Sequence, residues 1–528
     1  MALSFSTYQI ALFNVIENDN CSIVLDAKAG AGKTTTILEA CNRLPERASV
    51  LFLAFNKAIV GELSEKLPAG VNCRTFNSCG WGAWRSFTGR KYIKIDAKKT
   101  WRIIWDMLSR EDSRLYGAFI NKMVGLAKSS GLTPDSDSSE WWAVQDHHGV
   151  TLNSMDADYS EAMDCTVRVL RESIRQAYDV CDFDDQIYMP WLRNATFQRY
   201  DYIFIDEAQD TNEIQCDLLR RMLKPGGRLI AVGDPNQAIY GFRGADHNAM
   251  NNIRNAFGAT ELPLSISYRC AKNIIAEAQK YVSDIQAFDS APDGTVEHVD
   301  GYTIETFNAS DAILCRNNAP LIEIAYQFIA RGKGVNFLGR DIGAGLKSLV
   351  KNMEARDLDD LEDKLDLWLG KESEKLIKKH QEEKVEILED RVKCISIFIA
   401  NLPQSRQTVG DLLDAIDALF QSKGRGITLS SVHKSKGREW DRVYILDFGT
   451  YMPSKYARKD WQKIQERNLI YVAITRAKRY LGYLPSGMWK DAPNMVIPER
   501  TRKPAPATPI RKTAAKTGLN GSFNPFAK

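Results

Sequence analysis

Seven short apolar runs punctuate the chain: CSIVLDA (21–27), SVLFLAF (49–55), YDYIFID (200–206), RLIAVGD (228–234), DAILCR (311–316), ITLSSV (427–432) and DRVYILD (441–447). Each is rich in β-branched residues and bounded by turn formers, and most run into a helical period. That pattern predicts buried strands of parallel sheets covered by helices. The runs suffice for two sheets, one before about residue 262 and one after, so the fold class is α/β. Two stretches break the rhythm. Residues 85–182 are helical, rich in Trp and charge, with a polar loop near 133–155. Residues 346–423 are charged and helical, and Leu358, Leu361, Leu365 and Leu369 fall at three- and four-residue spacing, giving one apolar face. Each stretch reads as a helical insertion into a sheet domain.

Composition adds limits. A chain of 528 residues exceeds one hydrophobic core, so several domains are expected. No run of about 18 uncharged apolar residues occurs, and the first twenty residues lack a basic start and a small-residue cleavage site. No membrane span and a cytoplasmic protein are therefore expected. Ten cysteines without CxxC spacing read as core thiols of a reducing compartment. The six histidines show no zinc spacing, and His147–His148 reads as a solvated pair in the polar loop. A net charge of +3 is too small to argue for nucleic acid. Its distribution says more. Residues 498–528 form a basic, proline-interleaved tail expected to be disordered. The ending NGSFNPFAK reads either as a peptide that docks on a protein partner through Phe523 and Phe526 or as a basic strap on DNA.

Chemistry concentrates in DAKAGAGKTTTIL (26–38), which follows a strand and opens a helix. The small residues Ala29, Gly30, Ala31 and Gly32 let backbone N–H groups approach phosphate oxygens. Lys33 supplies charge to the β and γ phosphates, and Thr34 offers its hydroxyl to Mg²⁺. Ala27 stands where the usual signature has glycine. In YIFIDEAQD (202–210) a strand ends on Asp206–Glu207. The first carboxylate suits Mg²⁺, directly or through water, and the second suits orientation and deprotonation of an attacking water. Together these indicate an ATPase. The segment GDPNQAIYGFRGA (233–245) adds Gln237, a polar sensor for phosphate, beside Tyr240, Phe242 and Arg243, which suit stacking on something flat.

Taken in order, STYQ, AKAGAGKTT, FNKAI, RTFNS, IDEAQD, GDPNQAIYGFRGA, SISYRC, SSVHKSKGREWD and NLIYVAITRAK resemble the motifs of superfamily 1 helicases of the UvrD/Rep/PcrA branch. The wording of FNKAI and RTFNS is similar to the F-box DNA helicase relatives, although no F-box is present. The resemblance spans residues 6–480. It implies two RecA-like domains with ATP between them: 1A over 1–84 and 183–262, and 2A over 263–345 and 424–497. The helical stretches 85–182 and 346–423 would be the inserted domains 1B and 2B.

The resemblance also implies roles. Gln9 would read the adenine, Tyr268 would stack on it, and Thr35 stands where close relatives carry an arginine packed on the base. Arg269 and Arg476 would reach the γ-phosphate from 2A, and Glu439 would lie near the ribose and phosphates. Nucleic-acid contacts fall to Phe55, Asn56, Thr75, Phe76, Tyr240, Phe242, Arg243 and His433, with Phe55 one place later than in the family pattern. The implied activity is an ATP- and Mg²⁺-dependent 3′→5′ helicase, monomeric as its basic unit, acting on single-stranded DNA and single–double strand junctions. A translocase that strips proteins from single strands and an ATP-gated DNA clamp are the alternatives.

Overall fold

The computed structural model describes residues 4–493 apart from 55, 151, 153–157, 240–247, 379–381, 422–425 and 459. Phe55, Tyr240, Phe242, Arg243 and the basic tail thus lie outside the described residues. Two six-stranded, all-parallel sheets organise the chain. The first contains β1 (Ile23–Ala27), β2 (Val50–Leu53), β3 (Val71–Arg74), β4 (Tyr200–Ile205), β5 (Leu223–Gly233) and β6 (Thr260–Leu264), in the order β3-β2-β4-β5-β1-β6. The second contains β7 (Thr295–His298), β8 (Ala312–Cys315), β9 (Val335–Leu338), β10 (Ile427–Ser431), β11 (Trp440–Leu446) and β12 (Ala477–Leu484), in the order β7-β12-β11-β8-β10-β9. All seven expected runs are strands.

Both sheets are covered on their two faces, which is why β2 and β8 are buried along their whole length. Parallel pairing has a functional consequence. Asp26 lies beside Gly233, and Ile205 beside both Leu53 and Ala231, so the carboxyl ends of β1, β2, β4 and β5 share one edge of the first sheet. The chain leaves that edge as the Gly-rich loop, as Asp206–Glu207 and as Asp234, the usual placement of a ligand crevice in an α/β sheet.

Helices Lys99–Met107, Arg110–Ser130, Ser138–His148 and Tyr159–Gln176 lie between β3 and β4 and share one apolar core with the face of the first sheet carrying Val24, Leu51 and Leu53. The expected polar loop and solvated histidine pair need correction here. Ser138–His148 is a helix, opened by a capping box of Asp137 and Glu140, and His148 is only 8% exposed. Its buried face is Trp141, Gln145 and His148, so two of its three inward positions are polar and the apolar period is hidden. Helices Arg340–Asn352, Leu358–Lys378, Glu382–Ala400 and Val409–Gln421 lie between β9 and β10. Leu358, Leu361 and Leu365 are buried as expected, Leu369 is partly buried, and the inward face continues through Trp368 and Leu376. All ten cysteines are free. Among the described residues no helix is long and apolar enough to cross a membrane.

A buried ion cluster ties the first insertion to helix Asp185–Leu192, which leads into β4. Lys99 Nζ lies 2.6 Å from Asp185, and Lys128 Nζ lies 2.6 Å from Asp182 and 2.8 Å from Asp185. Burial opposes charge on Lys128, but Asp185 and Asp182 outweigh it and raise its pKa. Two cations balance two anions with almost no water, so neutralising one member strands a charge. Asp185→Asn is expected to cost about 3–5 kcal/mol in urea unfolding. A loss below about 1 kcal/mol, the range of exposed pairs, would mean that water screens the cluster.

Candidate active site

β1 lies between β5 and β6, and the loop after it turns on two glycines with positive φ, Gly30 (+71°) and Gly32 (+75°). At Gly30 a Cβ would stand 2.5 Å from Arg269 Cβ and 2.8 Å from Ser267 Oγ, so only glycine fits under the second half of the protein. Helix Lys33–Asn42 starts at Gly32 without a side-chain cap, leaving the N–H groups of its first turn free for an anion. Thr34 and Thr35 are exposed in that turn, whereas Ala29 and Ala31 are buried in the loop.

Lys33 Nζ lies 3.3 Å from Glu207 Oε1. Burial would lower the lysine's pKa, but Glu207, Asp206 and Asp234 hold it above the usual value. The two acids part company. Burial and the neighbouring Glu207 charge push Asp206 up to about 6. Burial also opposes ionisation of Glu207, yet Lys33, Lys436 and a hydrogen bond from Gln209 bring it down to about 2. Glu207 has φ +53°, a left-handed conformation that a glutamate adopts only where its surroundings impose it. The backbone thereby turns the carboxylate back toward Lys33. Among the described residues no three acidic, His or Cys side chains cluster to hold a metal. A Mg²⁺ ion shared with phosphates needs only one or two carboxylates, and Asp206, half-buried and in no ion pair among the described residues, fits that part, with the exposed Thr34 hydroxyl as a further oxygen.

The second half of the protein supplies the other wall. Trp440 pairs with Ala477 at the amino ends of β11 and β12, which puts Glu439 and Arg476 side by side at that edge. Arg476 is 1% exposed. Its Nε donates to Val472 O (2.9 Å), Nη1 to Arg438 O (3.0 Å) and Nη2 to Thr475 Oγ1 (3.2 Å). Burial and the nearby Arg269 lower its pKa to about 10, and among the described residues no carboxylate is ion-paired to it. Arg269 is engaged differently, with Nε 2.5 Å from Glu439, which also holds Lys478 at 2.7 Å. Tyr268 is 42% exposed, and its N–H donates to Gly30 O (2.9 Å). A Cβ on Gly32 would lie 3.7 Å from the Tyr268 ring and 3.9 Å from Gln9 Nε2, so these two side chains flank the helix start. Gln9 is fixed there by donating to Thr36 Oγ1 (2.8 Å) and accepting from Ser6 N (2.9 Å).

These groups come from seven separated segments, and sequence comparison decides what they belong to. The profile of the UvrD/REP helicase N-terminal domain matches residues 11–258, and that of the UvrD-like helicase C-terminal domain matches residues 345–484. The chain is a member of the UvrD/Rep helicase family. It is 25% identical to F-box DNA helicase protein 1 of Schizosaccharomyces pombe, over 86% of this chain and 54% of that protein. Against F-box DNA helicase 1 of Gallus gallus the identity is 24%, over 86% and 46%. Against ATP-dependent DNA helicase UvrD2 of Mycobacterium tuberculosis (strain H37Rv) it is 24%, over 93% and 81%. The chain spans about half the length of the two F-box relatives.

Within this UvrD-like chain, the segment after β5 is gripped from the second half. Gln237 donates to Asp234 Oδ2 (2.7 Å), so its amide is turned onto that carboxylate. Lys436 Nζ bridges Asp210 (2.8 Å) and Gln237 O (2.9 Å), Asn468 donates to Pro235 O and Ala238 O, and Gln465 donates to Ile239 O. Lys436, Gln465, Asn468 and Asp210 were not singled out from sequence, although all but Gln465 lie inside the quoted motifs. Nothing in the local pattern shows that they meet. On the nucleic-acid side, Asn56 and Thr75 are both helix N-caps, accepting from Ile59 N (3.0 Å) and Ser78 N (3.1 Å). Asn56 is exposed, whereas Thr75 is buried and its hydroxyl is spent on the cap. Phe76 is half-buried against the helical core, and His433 is half-buried in the short helix Val432–Ser435.

Proposed function

We propose that this chain hydrolyses ATP in the cleft between its two sheets and uses the cycle to move 3′→5′ along single-stranded DNA, unwinding duplex ahead of it. One observation carries the reading: Arg476 of the second half lies within electrostatic reach of Glu207, which is paired with Lys33 beside Asp206 in the first half, and Arg269 packs over Gly30 of the phosphate loop. Residues 1–84 and 183–262 act as the ATP-binding half, residues 263–345 and 424–497 as the closing half, and 85–182 and 346–423 as the inserted helical domains. Gln9 and Tyr268 bind the base, with Thr35 beside them. Thr34 and Asp206 would hold Mg²⁺, which would supply charge neutralisation at the phosphates. Glu207, ionised and aimed by the backbone, takes the proton of the attacking water. Arg476, buried without an anion, meets the γ-phosphate, and Arg269 joins it by exchanging Glu439 for phosphate.

The Lys436, Asn468 and Gln465 contacts to residues 235–239 support the continuation of that segment, through Tyr240, Phe242 and Arg243, as the link from hydrolysis to strand movement. Duplexes with a 3′ or a 5′ single-stranded tail test the proposal. Unwinding is expected on the 3′-tailed substrate only, with ATP turnover accelerated by single-stranded DNA. Preference for the 5′ tail would overturn the polarity. Turnover indifferent to DNA would overturn the motor and favour the clamp. Streptavidin displacement without unwinding would favour the protein-stripping translocase.

A further inference from the structure

One buried hydroxyl in the cleft has no role so far. Tyr471, on helix Asp460–Ile474, is fully buried, and its oxygen lies between two groups of the other half. It accepts from the N–H of Ala29 in the phosphate loop (2.8 Å) and donates to Asp234 Oδ2 (3.2 Å). A tyrosine hydroxyl has one proton to give, and both of its functions are used across the interface. Burial and the adjacent Asp234 raise its pKa well above the ordinary value, so the proton stays in place.

The backbone end of the same residue leads to Arg476. Tyr471 O accepts from Thr475 Oγ1 (2.8 Å), and Thr475 Oγ1 accepts from Arg476 Nη2 (3.2 Å). Arg476 Nε also bonds to the carbonyl of the next residue, Val472 (2.9 Å). A continuous run of hydrogen bonds therefore joins the phosphate loop to the unpaired guanidinium through one side chain. Lys28 makes a second bridge from the same loop, to Asp284 (2.9 Å), but that carboxylate is largely exposed and water can replace it. Water cannot replace the Tyr471 hydroxyl without opening the cleft.

We infer that Tyr471 is a positioning residue: its hydroxyl sets the register of Arg476 over the phosphate loop whenever the two halves close. The inference rests on the proposed ATP hydrolysis for its kinetic consequence, but not for its structural one. It follows that Tyr471→Phe, which deletes one oxygen and keeps the ring, leaves ATP able to bind but displaces Arg476 from the closed arrangement.

The test uses the full chain. Tyr471→Phe is expected to keep its KM for ATP and to stay folded, with only the small fall in melting temperature that one unpaired buried N–H at Ala29 causes. Its kcat should fall about tenfold, the scale of one hydrogen bond to a charged group. In hydrogen exchange, the peptide covering residues 26–32 should lose part of the protection that a non-hydrolysable ATP analogue confers on the parent, the part owed to the Ala29 N–H bond to Tyr471. An unchanged kcat, a rise in KM that accounts for the loss, a fall in melting temperature that accounts for it, or unchanged protection of 26–32 would each overturn the inference. Should the parent itself fail to turn over ATP, the proposed function falls, and the analogue-dependent exchange of 26–32 alone upholds or overturns the Tyr471 register.

Discussion

Arg476→Ala is expected to lower the kcat of DNA-stimulated ATP hydrolysis about 10³–10⁵-fold, the range over which an arginine acts on a transferring phosphoryl group. The expectation rests on its electrostatic position. Burial and Arg269 already destabilise its charge, and the carboxylate that acts in its favour, Glu207, belongs to the other half. A γ-phosphate entering the cleft supplies the missing anion, and does so most strongly as charge spreads over its oxygens. Arg476→Lys restores the charge without the fork, so it should recover only a minor part of the rate. Arg269→Ala should cost less than Arg476→Ala, because Arg269 must first give up Glu439 at 2.5 Å. Single-turnover hydrolysis together with binding of a fluorescent ATP analogue separates these effects. A kcat within tenfold of the parent for Arg476→Ala would remove it from the reaction. A melting temperature measured on the same samples guards against a folding defect, since the substitution also strips donors from Val472 O and Arg438 O.

Legibility from sequence followed physical lines. The seven strands recognised at once include most of the sheet interiors, where burial on both faces demands an unbroken apolar run. Of the five strands missed, four are sheet edges: β3, β6, β7 and β9. An edge strand needs less apolar surface, so β3 is half-buried throughout and β6 tolerates Pro263. The fifth, β12, begins Ala-Lys-Arg, which reads as a loop until Arg476 is seen to occupy the cleft just before it. Helix Ser138–His148 escaped because its core face is partly polar.

The candidate site divided in the same way. Lys33, Asp206 and Glu207 are legible because a strand end and a helix start carry their chemistry locally. The bond from Ala29 to Tyr471 spans 442 positions of sequence, and no local period or spacing encodes it. Motif order also cannot show that Thr75 and Asn56 open helices, because an N-cap and a nucleic-acid contact ask for the same small polar residue.

Glu207→Gln should lower kcat about 10²–10⁴-fold, the contribution of a positioned general base, while preserving ATP binding. The amide is nearly isosteric but neutral, so Lys33 Nζ, now 3.3 Å from a carboxylate, is released to phosphate alone. A charge effect on Asp206 distinguishes this substitution from simple damage. In the parent, burial and Glu207 raise Asp206 from its ordinary 3.8 to about 6. Its folded-state carboxyl therefore keeps a proton that the unfolded chain has released between those values, so stability falls as pH rises through that window. Glu207 works in the opposite direction but only between about 2 and its ordinary 4.5, so from about pH 4.5 to 6 the Asp206 effect stands without it. In Glu207→Gln the repelling carboxylate is gone and Lys33 is freed to favour the ionised form, and both changes lower the Asp206 pKa. The variant should accordingly lose less stability than the parent between pH 4.5 and 6, measured as the difference in melting temperature without nucleotide. Identical pH slopes in the two proteins would mean that Asp206 and Glu207 do not share one electrostatic site. Full turnover in the variant would remove Glu207 as the base.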